Sequence, residues 1–232
     1  MNGPEHRLTF TIHRNGKPST ETVAVRHAVI AGWTGRDVAA VEKHIQELEA
    51  LGVARPASTP IFYRIAASRL TTATAIEVPG EQSSGEVEFV LVQYGGAVYV
   101  GVGSDHTDRK VETYNVTVSK QMCEKPIAPE LWAFEDVAAH WDQLILRSWA
   151  WDGGIKTLYQ EGAVAAMRAP DELTRLYTAG GGLPDGTAMF GGTLAAKGGI
   201  RPAPRFEFEL EDPVRGRRIR HGYDIATLPV VG

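Results

Sequence analysis

The chain has 232 residues, 43% hydrophobic and 22% charged, ordinary for a folded globular protein and enough to bury a sizeable core. Its net charge of −4 gives no reason to expect a nucleic-acid or anionic-membrane partner, and no apolar run approaches the length of a membrane span. Cys123 is the only cysteine, which excludes an intrachain disulfide and a multi-thiolate zinc site and makes a reducing, cytoplasmic setting the expectation.

Residues 8–14, Asn15-Gly16 and residues 21–26 read as strand, turn and strand, from apolar alternation and the Asn-Gly signal. From Thr34 the period changes. Val38, Val41, Ile45, Leu48 and Leu51 recur at three- and four-residue steps, which predicts a helix from Thr34 and Asp37 to about Leu51, stopped by Gly52. Residues 53–83 are rich in Pro, Ser and Thr and read as connecting structure around a short ordered piece, 61–65. The β-branched and aromatic arms 86–92 and 97–104 flank Gly95-Gly96, whose freedom at positive φ suits a two-residue hairpin turn.

Residues 112–118 read as a strand, 134–149 as a helix, and 163–168 and 170–177 as shorter helical pieces. Residues 183–186 form a turn, and 187–193 a glycine-interrupted strand. The alternating strand 205–211 carries Glu207, Glu209 and Glu211, and the basic stretch 214–221 follows closely, a pattern that reads as a charge-paired hairpin. These elements predict an α+β fold, predominantly β, with an N-terminal β unit and helix over 1–75 and a β-rich core over 76–232.

Chemistry concentrates at the open end of the hairpin. With Gly95-Gly96 as the turn, Glu86 lies opposite Asp105 and Glu88 opposite Gly103, so all three carboxylates point to one face. Like charges so placed repel unless a cation sits among them, and hard cations such as Mg²⁺ are held by carboxylate oxygens. An alternating strand with a solvated polar face is the plainer reading of Glu86 and Glu88.

The order of motifs resembles the fumarylacetoacetate hydrolase superfamily: Glu86-Val87-Glu88 on a strand, Asp105 and Arg109 in a polar loop, Lys120 before Pro126-Ile127-Ala128-Pro129, and Gly191-Gly192-Thr193 near the C-terminus. The resemblance runs from about residue 28 to residue 225. It implies a mixed β-roll with a few peripheral helices, and Mg²⁺ or Mn²⁺, with Ca²⁺ as a further option, on Glu86, Glu88 and Asp105. It implies also that Lys120 stands close to the substrate, where its charge holds a carboxylate or enolate, and that Thr193 contacts it. An exposed lysine and an ordinary strand threonine remain the alternatives.

Hydrolases of the superfamily activate water with a His and a Glu three residues apart on a short helix. His44 and Glu47 have that spacing, which puts both on one helical face; a polar edge beside the apolar stripe is the alternative. The segment that corresponds in order is Gly32-Trp33-Thr34-Gly35-Arg36-Asp37, which makes Arg36 and Asp37 rival candidates. Asp108-Arg109-Lys110 replaces the usual Ala-Arg-Asp, Leu194 the usual proline and Cys123 the usual aspartate, which points to a divergent bacterial branch.

The expectation is a divalent-metal hydrolase that cleaves a carbon–carbon bond in a small oxo-acid or dicarbonyl compound. His44 and Glu47 would activate water, Lys120 would stabilise the enolate, and Arg109, Thr193 and Arg36 would bind substrate. The alternatives are a metal-dependent decarboxylase or lyase, and a noncatalytic small-molecule binding protein. The resemblance implies a homodimer; no nucleic-acid or membrane partner is expected.

Overall fold

The computed structural model describes residues 5–50 and 55–231, and the side chains of residues 44, 47 and 48 also lie outside the description. The chain is mostly β, as its alternation predicts. Among the described residues two large sheets carry most of it, beside two small pairs of two-residue strands. In the larger, curled one the strands run in the order Lys17–Val25, His6–Arg14, Glu130–Ala133, Ala97–Ser104, Val87–Tyr94, Thr187–Phe190, His27–Gly32, Ile61–Ile65. It is mixed: Glu130–Ala133 is parallel to His6–Arg14, and Thr187–Phe190 to His27–Gly32. Strands from both sides of residue 75 therefore share one sheet.

The smaller sheet has five strands in the order Ile155–Ala163, Ile145–Asp152, Arg205–Asp212, Arg217–Leu228, Ala75–Pro79. The charge-paired hairpin is present in it, with Glu209 opposite Arg220 and Glu211 opposite Arg218, and ion pairs of 2.7 Å and 2.6 Å.

The hairpin Val87–Tyr94 and Ala97–Ser104 sits in the middle of the large sheet with both faces covered. Val87, Phe89, Leu91, Val100 and Val102 belong to a core that also holds Leu146, Phe206 and Phe208 of the small sheet. Val90, Val92 and Tyr99, on the other face, belong to a second core with Phe10, Ile12, Ile30 and Phe190. Glu86 and Glu88 share the face of Val90 by the strand's period of two, so they close the end of this second core.

The structure corrects several sequence expectations. Residues 112–118 are not a strand: a helical turn Arg109–Glu112 is followed by the helix Val116–Met122, which begins where the Asn115 side chain accepts the Val118 N–H at 3.0 Å. Residues 134–149 are not one helix but two 3₁₀ segments, Phe134–Asp136 and Ala138–Gln143, and then the strand Ile145–Asp152. Residues 163–168 hold only a short 3₁₀ turn, Val164–Ala166, after the strand Ile155–Ala163, which the Gly153-Gly154 turn pairs with Ile145–Asp152. The helices Val38–Ala50 and Pro170–Tyr177 are where periodicity puts them, the first with Asp37 accepting the Ala40 N–H at 3.0 Å. Among the described residues, no helix is long and apolar enough to cross a membrane.

Candidate functional site

The expected register is observed. Glu88 pairs with Gly103, Val87 with Ser104, and beyond the ladder the Asp105 N–H donates to the Glu86 carbonyl at 3.0 Å. One oxygen from each of Glu86, Glu88 and Asp105 lies within 4.8 Å of the others. Glu88 and Asp105 are buried and Glu86 is partly so.

Three cations surround this cluster. Lys120, on the buried side of the Val116–Met122 helix, donates to Asp105 Oδ2 at 2.5 Å and lies 3.9 Å from Glu86 Oε2. Lys125, fully buried in the short strand Lys125–Pro126, lies 3.3 Å from Asp105 Oδ1 and donates to the His106 carbonyl at 2.5 Å. In the sequence Lys125 carries one signal, its place directly before the Pro126-Ile127-Ala128-Pro129 run. Arg109 is turned back towards Glu86 because Asp108 caps the turn that follows, accepting the Val111 N–H at 2.8 Å. Arg109 Nε donates to Ser84 at 2.7 Å, Nη1 to Glu112 at 2.8 Å, and Nη2 stands 3.2 Å from Glu86 Oε1. Nη2 is buried and makes no hydrogen bond.

Burial first, then the negative charges of Asp105 and Glu86, push the Glu88 carboxyl well above the usual range, against Lys120 and the Gly192 N–H. That N–H donates to Glu88 Oε2 at 2.7 Å. For Asp105 burial also acts upward, but Lys120 and Lys125 outweigh it and hold the group below its ordinary value. Burial would lower Lys120, yet Asp105, Glu86 and Glu112 raise it overall. Lys125 is lowered, by burial before anything else. The three carboxylates bring oxygens within 4.8 Å of one another and offer only hard donors, so the residues fit a divalent cation of the Mg²⁺ type.

His106 follows Asp105 and is fully buried, its ring nitrogens 2.8 Å from both Tyr223 and Ser83 hydroxyls. Burial, then Lys125 and Arg109, lower its pKa to about 3, so it is neutral. Cys123 is buried with its thiol pushed up by burial, which leaves it inert.

The remaining expected residues lie as follows. Thr193 reaches the ligand strand, but its hydroxyl donates to the Val87 carbonyl at 2.8 Å and accepts from Gln160 Nε2 at 2.8 Å. Arg36 points its guanidinium at Asp142, in a bidentate pair of 2.8 Å bonds, and donates to the Met167 carbonyl. The helix Val38–Ala50 carries His44 and Glu47, whose side chains lie outside the described residues.

A family described as "Protein of unknown function (DUF2848)" matches residues 31–223. The chain belongs to that family. No curated protein matches the sequence. Among solved structures, Cg1458 with inhibitor is similar at TM-score 0.65 and 15% identity, over 91% of this chain and 86% of that one. A putative uncharacterized protein from Mycobacterium abscessus aligns at TM-score 0.64 and 14% identity over 97% and 93%. A 2-keto-3-deoxy-D-arabinonate dehydratase complexed with magnesium and 2,5-dioxopentanoate aligns at 0.60 and 14% over 93% and 86%. At these identities the likeness is one of fold.

Proposed function

We propose that this chain is a divalent-metal-dependent enzyme acting on a small oxo-acid or dicarbonyl compound, and that its family is a branch of the fumarylacetoacetate hydrolase superfamily. The observation that carries the reading is the convergence of Glu86, Glu88 and Asp105 beside Lys120 and an Arg109 Nη2 with no hydrogen-bond partner. Motif order and the fold shared with a magnesium-complexed dehydratase support it.

Mg²⁺ or Mn²⁺ on the three carboxylates would chelate paired substrate oxygens and favour an enolate. Arg109 Nη2 would donate to a substrate carboxylate oxygen, completing its hydrogen-bonding capacity. Lys120, kept protonated by Asp105, would hold oxygen where negative charge develops. Thr193 is engaged with the Val87 peptide and Arg36 with Asp142. Lys120 and Arg109 stand against the carboxylate cluster itself, and Arg109 keeps one nitrogen without a hydrogen bond, so these two are the anion-binding donors we propose.

Hydrolysis of a carbon–carbon bond needs a base for water, the role assigned to His44 with Glu47. A lyase or dehydratase reading has its own support in a protein of the same fold that is a dehydratase; His106, buried with both ring nitrogens bonded to hydroxyls, serves neither reading as a base. Both are tested by incubating Mn²⁺-loaded protein with a panel of 2-oxo acids and 1,3-dicarbonyl acids and following products by mass. Turnover that requires Mn²⁺ is expected, with water added for a hydrolase and water or carbon dioxide lost for a lyase. His44→Ala abolishes the first and spares the second. A protein that binds no Mn²⁺ and turns over none of the panel overturns the proposal.

A further inference from the structure

The strand Thr187–Phe190 pairs with the ligand strand only as far as Phe190 opposite Val90, and the last bond of that edge runs from the Gly191 N–H to the Phe89 carbonyl at 3.0 Å. Beyond it the chain turns away through Gly192, at φ 103°, and so delivers the Gly192 N–H to Glu88. No alternative residue fits there, because a Cβ on Gly192 would stand 1.8 Å from Thr34 Oγ1. This departure leaves Val87, the residue between Glu86 and Glu88, paired with Ser104 on one side and without a strand partner on the other. A buried peptide N–H and carbonyl with no partner would be costly.

Two side chains replace the missing strand. Gln160 Oε1 accepts the Val87 N–H at 2.9 Å, and the Thr193 hydroxyl donates to the Val87 carbonyl at 2.8 Å. Gln160, itself buried, is locked in turn. Its Oε1 accepts from Ser148 Oγ at 2.9 Å, and its Nε2 donates to Thr193 Oγ1 at 2.8 Å and to the Leu194 carbonyl at 2.6 Å. All four of its bonds are therefore made, and they join the small sheet to the peptide that spaces two of the three carboxylates.

We propose that Gln160, acting with Thr193, is a positioning residue for the metal centre: it holds the Val87 peptide in place of a strand and so sets the separation of Glu86 and Glu88. This inference rests on the metal reading of the carboxylate cluster. Hydrogen bonds that orient metal ligands typically govern affinity by roughly 10- to 100-fold, and here they act on the peptide that joins two of the ligands.

The test is calorimetric titration of the full chain with Mn²⁺ alone, alongside the melting temperature. Gln160→Met, which keeps length without polar atoms, and Thr193→Val are each expected to weaken Mn²⁺ binding roughly 10- to 100-fold. The double variant should be no weaker than the worse single one, because both act through one peptide. Thr193→Ser, which keeps the hydroxyl, should restore affinity. If Gln160→Met does not fold, the Val and Ser variants at Thr193 decide the matter. Variants that bind Mn²⁺ like the parent but melt lower overturn the positioning role and leave the metal reading standing. A parent protein that binds no Mn²⁺ overturns both.

Discussion

Glu88 lies where folding and function pull in opposite directions. Its carboxyl is buried beside two others, which favours the protonated form when no cation is bound. Glu88→Gln keeps the acceptor for the Gly192 N–H and has no ionisation for burial to oppose. The metal-free variant should melt higher, by about 2–4 °C for each ~1 kcal/mol relieved in a chain of this size, and should lose Mn²⁺ binding. Thermal scans with and without Mn²⁺ check both; a lower metal-free melting temperature contradicts the first claim. The pH dependence has a definite sign. A carboxyl raised in the folded state contributes stability below its ordinary pKa, and that contribution is lost as pH rises through the raised value. A metal ion competes with that same proton, so the Mn²⁺-induced gain in melting temperature should grow as pH rises from about 5 to about 7. A gain that shrinks over that window is inconsistent with a carboxylate site.

At the scale of elements, Lys120 is placed by the short helix Val116–Met122, and that helix depends on the Asn115 cap. Asn115→Ala should cost about 1 kcal/mol and lower the melting temperature by about 2–4 °C, measurable by calorimetry. The same segment shows what sequence patterns miss. Val116 and Val118, with Thr113 and Tyr114, look like strand residues, yet the Asn115 side chain starts a helix and outweighs local β preference. Apolar spacing over 134–149 looked helical because Val137, Trp141 and Leu144 belong to one core, reached instead by two 3₁₀ turns, with a separate strand next. The hairpin and its register were readable because Gly95 and Gly96 take φ of 58° and 79° and the side-chain period is two. The carboxylates followed from that register. Lys125 and Gln160 did not, since their roles come from strands distant in sequence.

Across the whole molecule, the ligand hairpin is the central wall of two cores, and its open end is closed by segments that precede it, follow it and return from near the C-terminus. Ser83 and Ser84 pair with Thr107 and Asp108, tying His106 and Arg109 in place. Lys120 and Lys125 arrive from the next segment, and Gly192 and Thr193 from near the C-terminus. Charge built into a preformed shell in this way is the arrangement expected of a metal centre with a small anionic ligand. The most direct test of that claim is anomalous diffraction from a crystal of the protein soaked in Mn²⁺. A peak is expected at about 2.1 Å from oxygens of Glu86, Glu88 and Asp105. No peak there, with Lys120 still bound to Asp105 at saturating Mn²⁺, would contradict it.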